Sequence, residues 1–270
     1  MSLKKNRVTQ FTREALNPER RTTRSLLQRS TRGNVHTYVQ ATTSYVNLIS
    51  EYLYLSGYEE KQARLFELKQ ILCDCWRYLP YTRRVSDFER FLQVRLERSQ
   101  KEERPCFTGV HSPLSKLNHE GRFLLVARFF NNWSHKSIRL ALRFKKGEVS
   151  ESLMLLRCLL TSVETDKLGY VELAQIARVN SVLEGNFPEK TCRKIEKEIG
   201  GQYHALQFKT DWLTYRCELA DLRTEILLDS EELNQLAEET TELIRSLPME
   251  KPKLYDYILN QFSFNRLPAL

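Results

Sequence analysis

Residues 130–160 read FNNWSHKSIRLALRFKKGEVSESLMLLRCLL. Ser134 is a typical helix N-cap, and the apolar residues after it recur at the spacing of a short helix. A turn containing a glycine is predicted over 144–147, and a second helix is expected from Val149 onward. A further helical pattern over 117–130 comes just before. This succession of a helix, a short helix, a turn and another helix is the order of a helix-turn-helix.

Four apolar residues are expected to hold the two short helices together by facing a common core. They are Ile138, Ala141, Val149 and Leu153. The placement of the second helix depends on Val149, which must be buried if the helix begins where the pattern indicates.

The remaining chain repeats the helical pattern. Apolar residues recur at intervals of three and four from Val35, Asp87 is a candidate N-cap, and no alternating strand of convincing length occurs. The expected fold is all-α, with two small helical domains and a helical C-terminal extension. The expected boundaries are a flexible basic tail over 1–33, a helical domain over 34–98, a linker over 99–113, the helix-turn-helix over 114–163, an acidic helical domain over 164–247 and a C-terminal tail over 248–270.

Composition and charge narrow the class of protein. Of the 270 residues, 41% are hydrophobic and 28% are charged, which is a globular profile. No apolar run approaches the ~18 residues of a membrane helix, so no membrane association and a cytoplasmic location are expected. Residues 1–40 carry +7 and residues 115–163 carry +6, whereas residues 164–270 carry −6. Basic blocks of this size attract phosphate backbones, although a solvated surface is the competing interpretation.

Catalytic and metal-binding patterns are missing from the sequence. It contains no HExxH, no nucleophile elbow and no glycine-rich phosphate loop. Cys73 and Cys75 form one closely spaced pair, but the other cysteines are isolated, so the two close pairs typical of a zinc site are missing. We therefore expect no enzyme activity, no metal and no cofactor.

Two blocks, over 35–96 and 113–160, resemble the conserved domains of an extracytoplasmic-function-type sigma-70 factor, a promoter-specificity subunit of bacterial RNA polymerase. In the first block, the sequence WRYLP at 76–80 is similar to the end of the family's core-binding helix. In the second, FNNWSHKSI at 130–138 and GEV at 147–149 resemble the family's helix-turn-helix. The resemblance implies two partners, the RNA polymerase core and promoter DNA.

The resemblance also implies candidate site residues. The positions that correspond to the polymerase-docking side of the first block hold Phe66 and Lys69, where the family usually has an acidic residue and a glutamine. The candidate DNA-binding residues are Lys145, Lys146, Ser150, Ser152 and Arg157. Serines stand where the family has basic residues in the recognition helix. Two hypotheses therefore stay open: a sigma-like DNA-binding regulator, or a helical interaction protein that kept the fold and lost DNA binding.

The acidic C-terminal third carries a weaker resemblance. Residues 182–199 look like the start of a zinc-type anti-sigma domain, without the cysteine pair that follows in that family. We expect the C-terminal region to pack on residues 34–163, to contact the helix-turn-helix and to lower its affinity for DNA or polymerase. An independent, merely soluble helical domain is the competing interpretation.

Overall fold

The computed structural model describes residues 18–82, 84–101 and 105–247, and these contain helices and no strand. The all-α prediction is thus confirmed for the described part of the chain. No helix there is both long enough and apolar enough to cross a membrane. The α-helices are α1 Pro18–Ser30, α2 Val35–Leu55, α3 Lys61–Tyr78, α4 Val85–Arg98, α5 His119–Leu124, α6 His135–Leu142, α7 Glu148–Leu160, α8 Tyr170–Leu183, α9 Glu189–Ile199, α10 Tyr203–Ile226 and α11 Ser230–Arg245.

Part of the segment predicted to be a flexible tail is helical. Helix α1 covers Pro18–Ser30, and Leu27 and Ser30 are buried. The Thr23 hydroxyl lies 3.4 Å from that of Ser44, which ties α1 to a helix that follows it in the chain. The prediction was wrong for this stretch because a few buried residues suffice to dock an Arg-rich helix. The remainder of the predicted tail, residues 1–17, lies outside the described residues, as does the predicted tail over 248–270.

Two residues were predicted to cap helices, and the structure places one of them at the N-cap and the other inside the first turn. Ser134 caps α6 as predicted, since its hydroxyl accepts a hydrogen bond from the Ser137 amide. Asp87 does not stand at the N-cap of α4. It lies in the first turn, and its carboxylate reaches back to accept a hydrogen bond from the Arg84 amide at 2.9 Å. An acidic side chain in the first turn pairs with an unsatisfied amide, so the signal was real but displaced by three residues.

The chain divides into two compact units that cut across the predicted boundaries. Among the described residues, the first unit contains 18–47, 65–92 and 228–247, and the second contains 48–64 and 93–227. Residues of the predicted linker over 99–113 belong to the second unit, where the Phe107 amide donates to the Ser115 hydroxyl at 2.8 Å. A 3₁₀ helix at Gly109–Lys116 then leads into α5.

Aromatic residues dominate the core of the first unit. The Tyr38 hydroxyl donates to the Leu72 carbonyl at 2.6 Å, and its ring meets Trp76 edge-on at 5.1 Å between centroids. Tyr78 stacks on Phe91 at 3.9 Å. Such pairs add stability beyond the area they bury, so this unit is held by side chains from several helices.

The second unit contains the helix-turn-helix. Helix α5 continues into a π-helical turn at Leu125–Phe130, and α6 and α7 follow as predicted. The four residues expected to form their common core are all buried: Ile138, Ala141, Val149 and Leu153. The placement of α7 from its sequence pattern is therefore confirmed.

Residues 164–227 share a core with this helix-turn-helix. Cys158 of α7 lies in one buried cluster with Ile176 and Val179 of α8, Ile195 of α9 and Phe208 of α10. Because residues from four helices fill the same apolar cluster, helices α8–α10 are built into the second unit.

Replacing Val149 with aspartate should destabilise the protein. Val149 is 4% exposed, and a carboxylate there would be buried without a partner. We expect Val149→Asp to lower the free energy of unfolding by about 3 kcal/mol. Leu155→Asp is the matched control, because Leu155 lies on the same helix and is 46% exposed. Urea unfolding of both variants tests this, and equal losses would contradict the helix placement.

A basic stripe and the charge cluster behind it

The turn between α6 and α7 places two lysines at the start of α7. Arg143 and Gly147 adopt positive φ angles of 58° and 100°, which reverse the chain between the helices. The Glu148 carboxylate accepts a hydrogen bond from the Lys145 amide. Lys145 and Lys146 are both exposed, as the sequence-based assignment to phosphate contacts requires. Their ammonium groups enter no ion pair within the part of the chain that the structure describes.

Three more cations lie on α6 and directly after it. Lys136 and Arg139 are three residues apart on one side of α6, and Arg143 follows the last residue of that helix. Lys136 and Arg143 are exposed and Arg139 is half-buried. We call Lys136, Arg139, Arg143, Lys145 and Lys146 the basic stripe. Only the two turn lysines of this stripe were predicted from the sequence, although the spacing of Lys136 and Arg139 also indicates a shared side of α6.

Arg157 contradicts its predicted role in DNA binding. It is 2% exposed, and its guanidinium donates to the Asn180 amide oxygen and to the Glu184 carboxylate. The same guanidinium lies between two aromatic rings, 5.0 Å from the Phe129 centroid and 4.9 Å from that of Trp212. A group enclosed in this way cannot reach a phosphate. The prediction failed because the partners of Arg157 lie 23 or more residues away along the chain.

Glu184 is the common acceptor of a buried charge cluster. Its side chain is fully buried and accepts hydrogen bonds from Arg128 at 2.9 Å, from His135 at 2.8 Å and from Arg157. We call Arg128, His135, Arg157, Asn180 and Glu184 the Glu184 cluster. Burial alone would raise the pKa of Glu184, but these donors outweigh it and hold the pKa at about 2. The carboxylate is therefore ionised at neutral pH, and it joins α8 to both helices of the helix-turn-helix.

The predicted base-reading positions do not form a reading surface. Ser150 and Ser152 are half-buried, and the Ser150 carbonyl accepts a hydrogen bond from the Asn180 side chain at 3.2 Å. The outward side of α7 instead presents Glu151 and Leu155. Neither side chain can donate the bidentate hydrogen bonds by which arginine identifies guanine.

Phe66 and Lys69, predicted to face the polymerase, lie one turn apart on α3. Phe66 is 61% exposed, the ring being unusually open to solvent for its size. Lys69 is engaged within the first unit, since its ammonium donates to the Glu239 carboxylate at 2.7 Å. Glu239 lies on α11, and this ion pair lowers its pKa. Of the two residues predicted to face the polymerase, Phe66 is therefore the one that is open to solvent.

The second unit contains another buried carboxylate, Glu51, whose pKa is shifted in the opposite direction from that of Glu184. Glu51 accepts hydrogen bonds from Arg223 at 2.8 Å and from Asn131, and its side chain is fully buried. Burial dominates here and raises its pKa to about 7 despite the arginine. The difference from Glu184 follows from the donors, because Arg223 is one-third exposed whereas Arg157 is enclosed. Sequence gave no signal for this pair, which joins residues 172 positions apart.

Within the described ranges, no group of three potential ligands is placed to hold a metal ion. None of the six cysteines, all in described positions, forms a disulfide. Comparison with protein-family models, with curated proteins and with solved structures finds no match to this chain.

Removing the charge of Glu184 should destabilise the second unit in a pH-dependent way. Glu184→Gln leaves Arg157 buried without its counter-charge, which should lower the free energy of unfolding by about 3–5 kcal/mol at pH 7. A depressed carboxyl pKa stabilises the folded state above the unfolded value of 4.5, and that contribution disappears as the pH falls toward 2. The difference in free energy of unfolding between the wild type and Glu184→Gln should therefore become smaller as the pH falls from 4.5 to about 2.

Glu189→Gln is the matched control. Glu189 is exposed and, among the residues that the structure describes, forms an ion pair only with Arg193 on its own helix, so Glu189→Gln should change the free energy of unfolding little at every pH. Denaturant unfolding at several pH values measures both variants. A Glu184→Gln loss no larger than that of the control would show that the cluster contributes little.

Proposed function

We propose that the protein is a sigma-factor-like transcription regulator that binds DNA through the basic stripe and binds the RNA polymerase core. The observation that carries the proposal is the alignment of five cations along α6 and the turn before α7. In helix-turn-helix proteins, the first helix crosses the phosphate backbone and the second enters the major groove. The basic stripe occupies the backbone-facing position of that arrangement.

The contacts available favour the phosphate backbone over the bases. Lysine and arginine on an exposed surface gain affinity by releasing counterions, and this gain does not depend on sequence. The outward residues of α7, Glu151 and Leu155, offer no donor for a base edge. Binding should therefore depend steeply on salt and only weakly on DNA sequence.

The C-terminal helices should lower the affinity of the helix-turn-helix for DNA. They hold Arg157, the sole cation of α7, in the Glu184 cluster and away from solvent. This is the form of autoinhibition that the packing of α8 and α10 supports. The inhibiting residues lie inside the second unit, in a shared core.

A helical interaction protein without DNA-binding activity is the alternative. Two exposed apolar residues favour it, Leu155 on α7 and Phe66 on α3. Under this alternative, a protein partner is retained whether or not DNA is present, and the basic stripe serves solubility.

Replacing Lys145 and Lys146 with alanine should weaken binding to all DNA duplexes alike. Each lost phosphate contact removes about one unit from the slope of log affinity against log salt, so the slope should fall by about two. Fluorescence anisotropy with two unrelated duplexes across a salt series measures this. The double variant Lys190→Ala/Lys197→Ala removes the same charge from exposed positions of α9 and should leave the slope unchanged. An unchanged slope in both variants would remove the turn lysines from the interface.

Co-purification with core RNA polymerase tests the second half of the proposal. The full chain should be retained by the core enzyme without DNA, and Phe66→Asp should lose that retention because a charge replaces the exposed ring. Val110→Asp is the control, since Val110 is 56% exposed and lies outside α3. No retention of the wild-type chain, together with salt-independent behaviour toward DNA, would favour the alternative.

A further inference from the structure

Helix α10 is apolar on two opposite sides. One side packs into its own unit through Phe208, Trp212, Tyr215, Leu219 and Leu222, all buried. The other side carries a row of small and apolar residues that are all exposed. We call it the outer stripe, and its members are Leu206, Thr210, Leu213, Cys217, Ala220 and Thr224. Leu206 and Leu213 leave 47% and 44% of their surfaces in water, so each leucine has a large apolar area open to solvent.

The spacing of the outer stripe is that of a helix–helix seam. Its residues follow one another by alternate steps of four and three positions from Leu206 to Thr224. This alternation is the heptad repeat by which two helices pack side by side along their length. Leu206, Leu213 and Ala220 alternate with Thr210, Cys217 and Thr224, so both leucines fall on the same type of seam position.

The polar members of the outer stripe are already satisfied within α10. Thr210 donates to the Leu206 carbonyl at 3.1 Å and Thr224 donates to the Ala220 carbonyl at 3.0 Å. The Cys217 thiol lies 3.5 Å from the Leu213 carbonyl in the same manner. These internal hydrogen bonds allow the side chains to leave water without an unpaired donor. The stripe can therefore be buried at low cost.

The charges beside the outer stripe identify the occupant. Arg216 borders it on one side and Asp221 on the other, and neither enters an ion pair among the described residues. The other cations on the Arg216 side are occupied, Lys209 by Glu196 at 2.6 Å and Arg223 by Glu51. In a parallel pair of helices, the residue before a seam position faces the residue five positions later in the other helix. Arg216 of each copy then faces Asp221 of the other copy.

An antiparallel pair lacks this complementarity. In an antiparallel pair, the Arg216 side of one helix lies against the Arg216 side of the other, so basic residues face basic residues. A two-fold axis parallel to the helices makes the two Arg216–Asp221 contacts equivalent, so both form in the same dimer.

We propose that the outer stripe of α10 binds a second copy of this chain, with the two helices parallel and each Cys217 facing its symmetry mate. The inference is independent of the proposed nucleic-acid function. The stripe covers 19 residues, about 27 Å at the rise of an α-helix. A single helix–helix seam of this length buries less surface than the standard interface of about 800 Å² per partner. We therefore expect a weak dimer, with a dissociation constant in the micromolar range.

Sedimentation velocity of the full chain, from low-micromolar to near-millimolar concentration, tests the interface. Leu213→Asp places a charge in the seam and should raise the dissociation constant of the dimer at least about tenfold. Leu243→Asp is the matched control, because Leu243 is 40% exposed on α11 and should leave dimerisation unchanged. Circular dichroism and the unfolding midpoint show that each variant is folded. A wild-type chain that stays monomeric throughout, or a dimer indifferent to Leu213→Asp, would overturn the proposal.

Charge exchange tests the partner specificity. Arg216→Asp and Asp221→Arg should each weaken the dimer, because like charges then face each other across the seam. The double variant restores opposite charges and should recover most of the lost affinity. Two single losses that add up in the double variant, with no recovery, would contradict the Arg216–Asp221 pairing.

Disulfide formation tests the parallel register. In a chain with Cys106→Ser and Cys192→Ser, mild copper-catalysed oxidation by dioxygen should join two Cys217 thiols, which lose two protons and two electrons to the oxidant. In the same chain with Cys217→Ser, Leu206→Cys or Ala220→Cys should each restore a cross-link between the two copies. An antiparallel pair brings only positions near its axis together. Cross-linking at both outer positions therefore supports the parallel dimer, and cross-linking at one or neither overturns it.

Discussion

The ion pair between Arg157 and Glu184 is the interaction on which the second unit depends. Two buried charges cost several kcal/mol to remove from water unless each is fully partnered. Here the carboxylate accepts from three cationic or imidazole donors, and the guanidinium is enclosed by two aromatic rings and an amide. Without Glu184, Arg157 would be buried with no counter-charge, whereas Glu184 without Arg157 would keep Arg128 and His135 as donors. The helix-turn-helix and helix α8 are therefore one structural unit.

This constraint also decides which cations remain for function. Because Arg157 is paired with Glu184 in the interior, α7 exposes Glu151 and Leu155 to solvent and no cation. The exposed cations of this region lie on α6 and in the turn that follows it. Under the proposed function, this distribution of charge would favour contact with the phosphate backbone over readout of bases. The same packing that fills the core behind α7 leaves the outer stripe of α10 open.

The limits of sequence-based prediction follow from the range of each interaction. Ser134 and Val149 were placed correctly because caps and helical periodicity depend on neighbouring residues. Arg157 was assigned to DNA because nothing near it in sequence indicates that Glu184, 27 positions later, will bury it. Part of the basic stripe was within reach of prediction, since the three-residue spacing of Lys136 and Arg139 places them on one side of α6. The resemblance to sigma factors remains a prediction, carried by positions that are mostly in the core.

Hydrogen–deuterium exchange of the full chain with and without a DNA duplex tests the central claim most directly. The claim is that DNA meets the basic stripe while the Glu184 cluster stays closed. Amides of residues 135–147 should then exchange more slowly when DNA is bound, and those of α8 up to Glu184 should exchange at an unchanged rate. Faster exchange in α8, with no protection over 135–147, would contradict the account, because it would mean that DNA binding opens the cluster and releases Arg157.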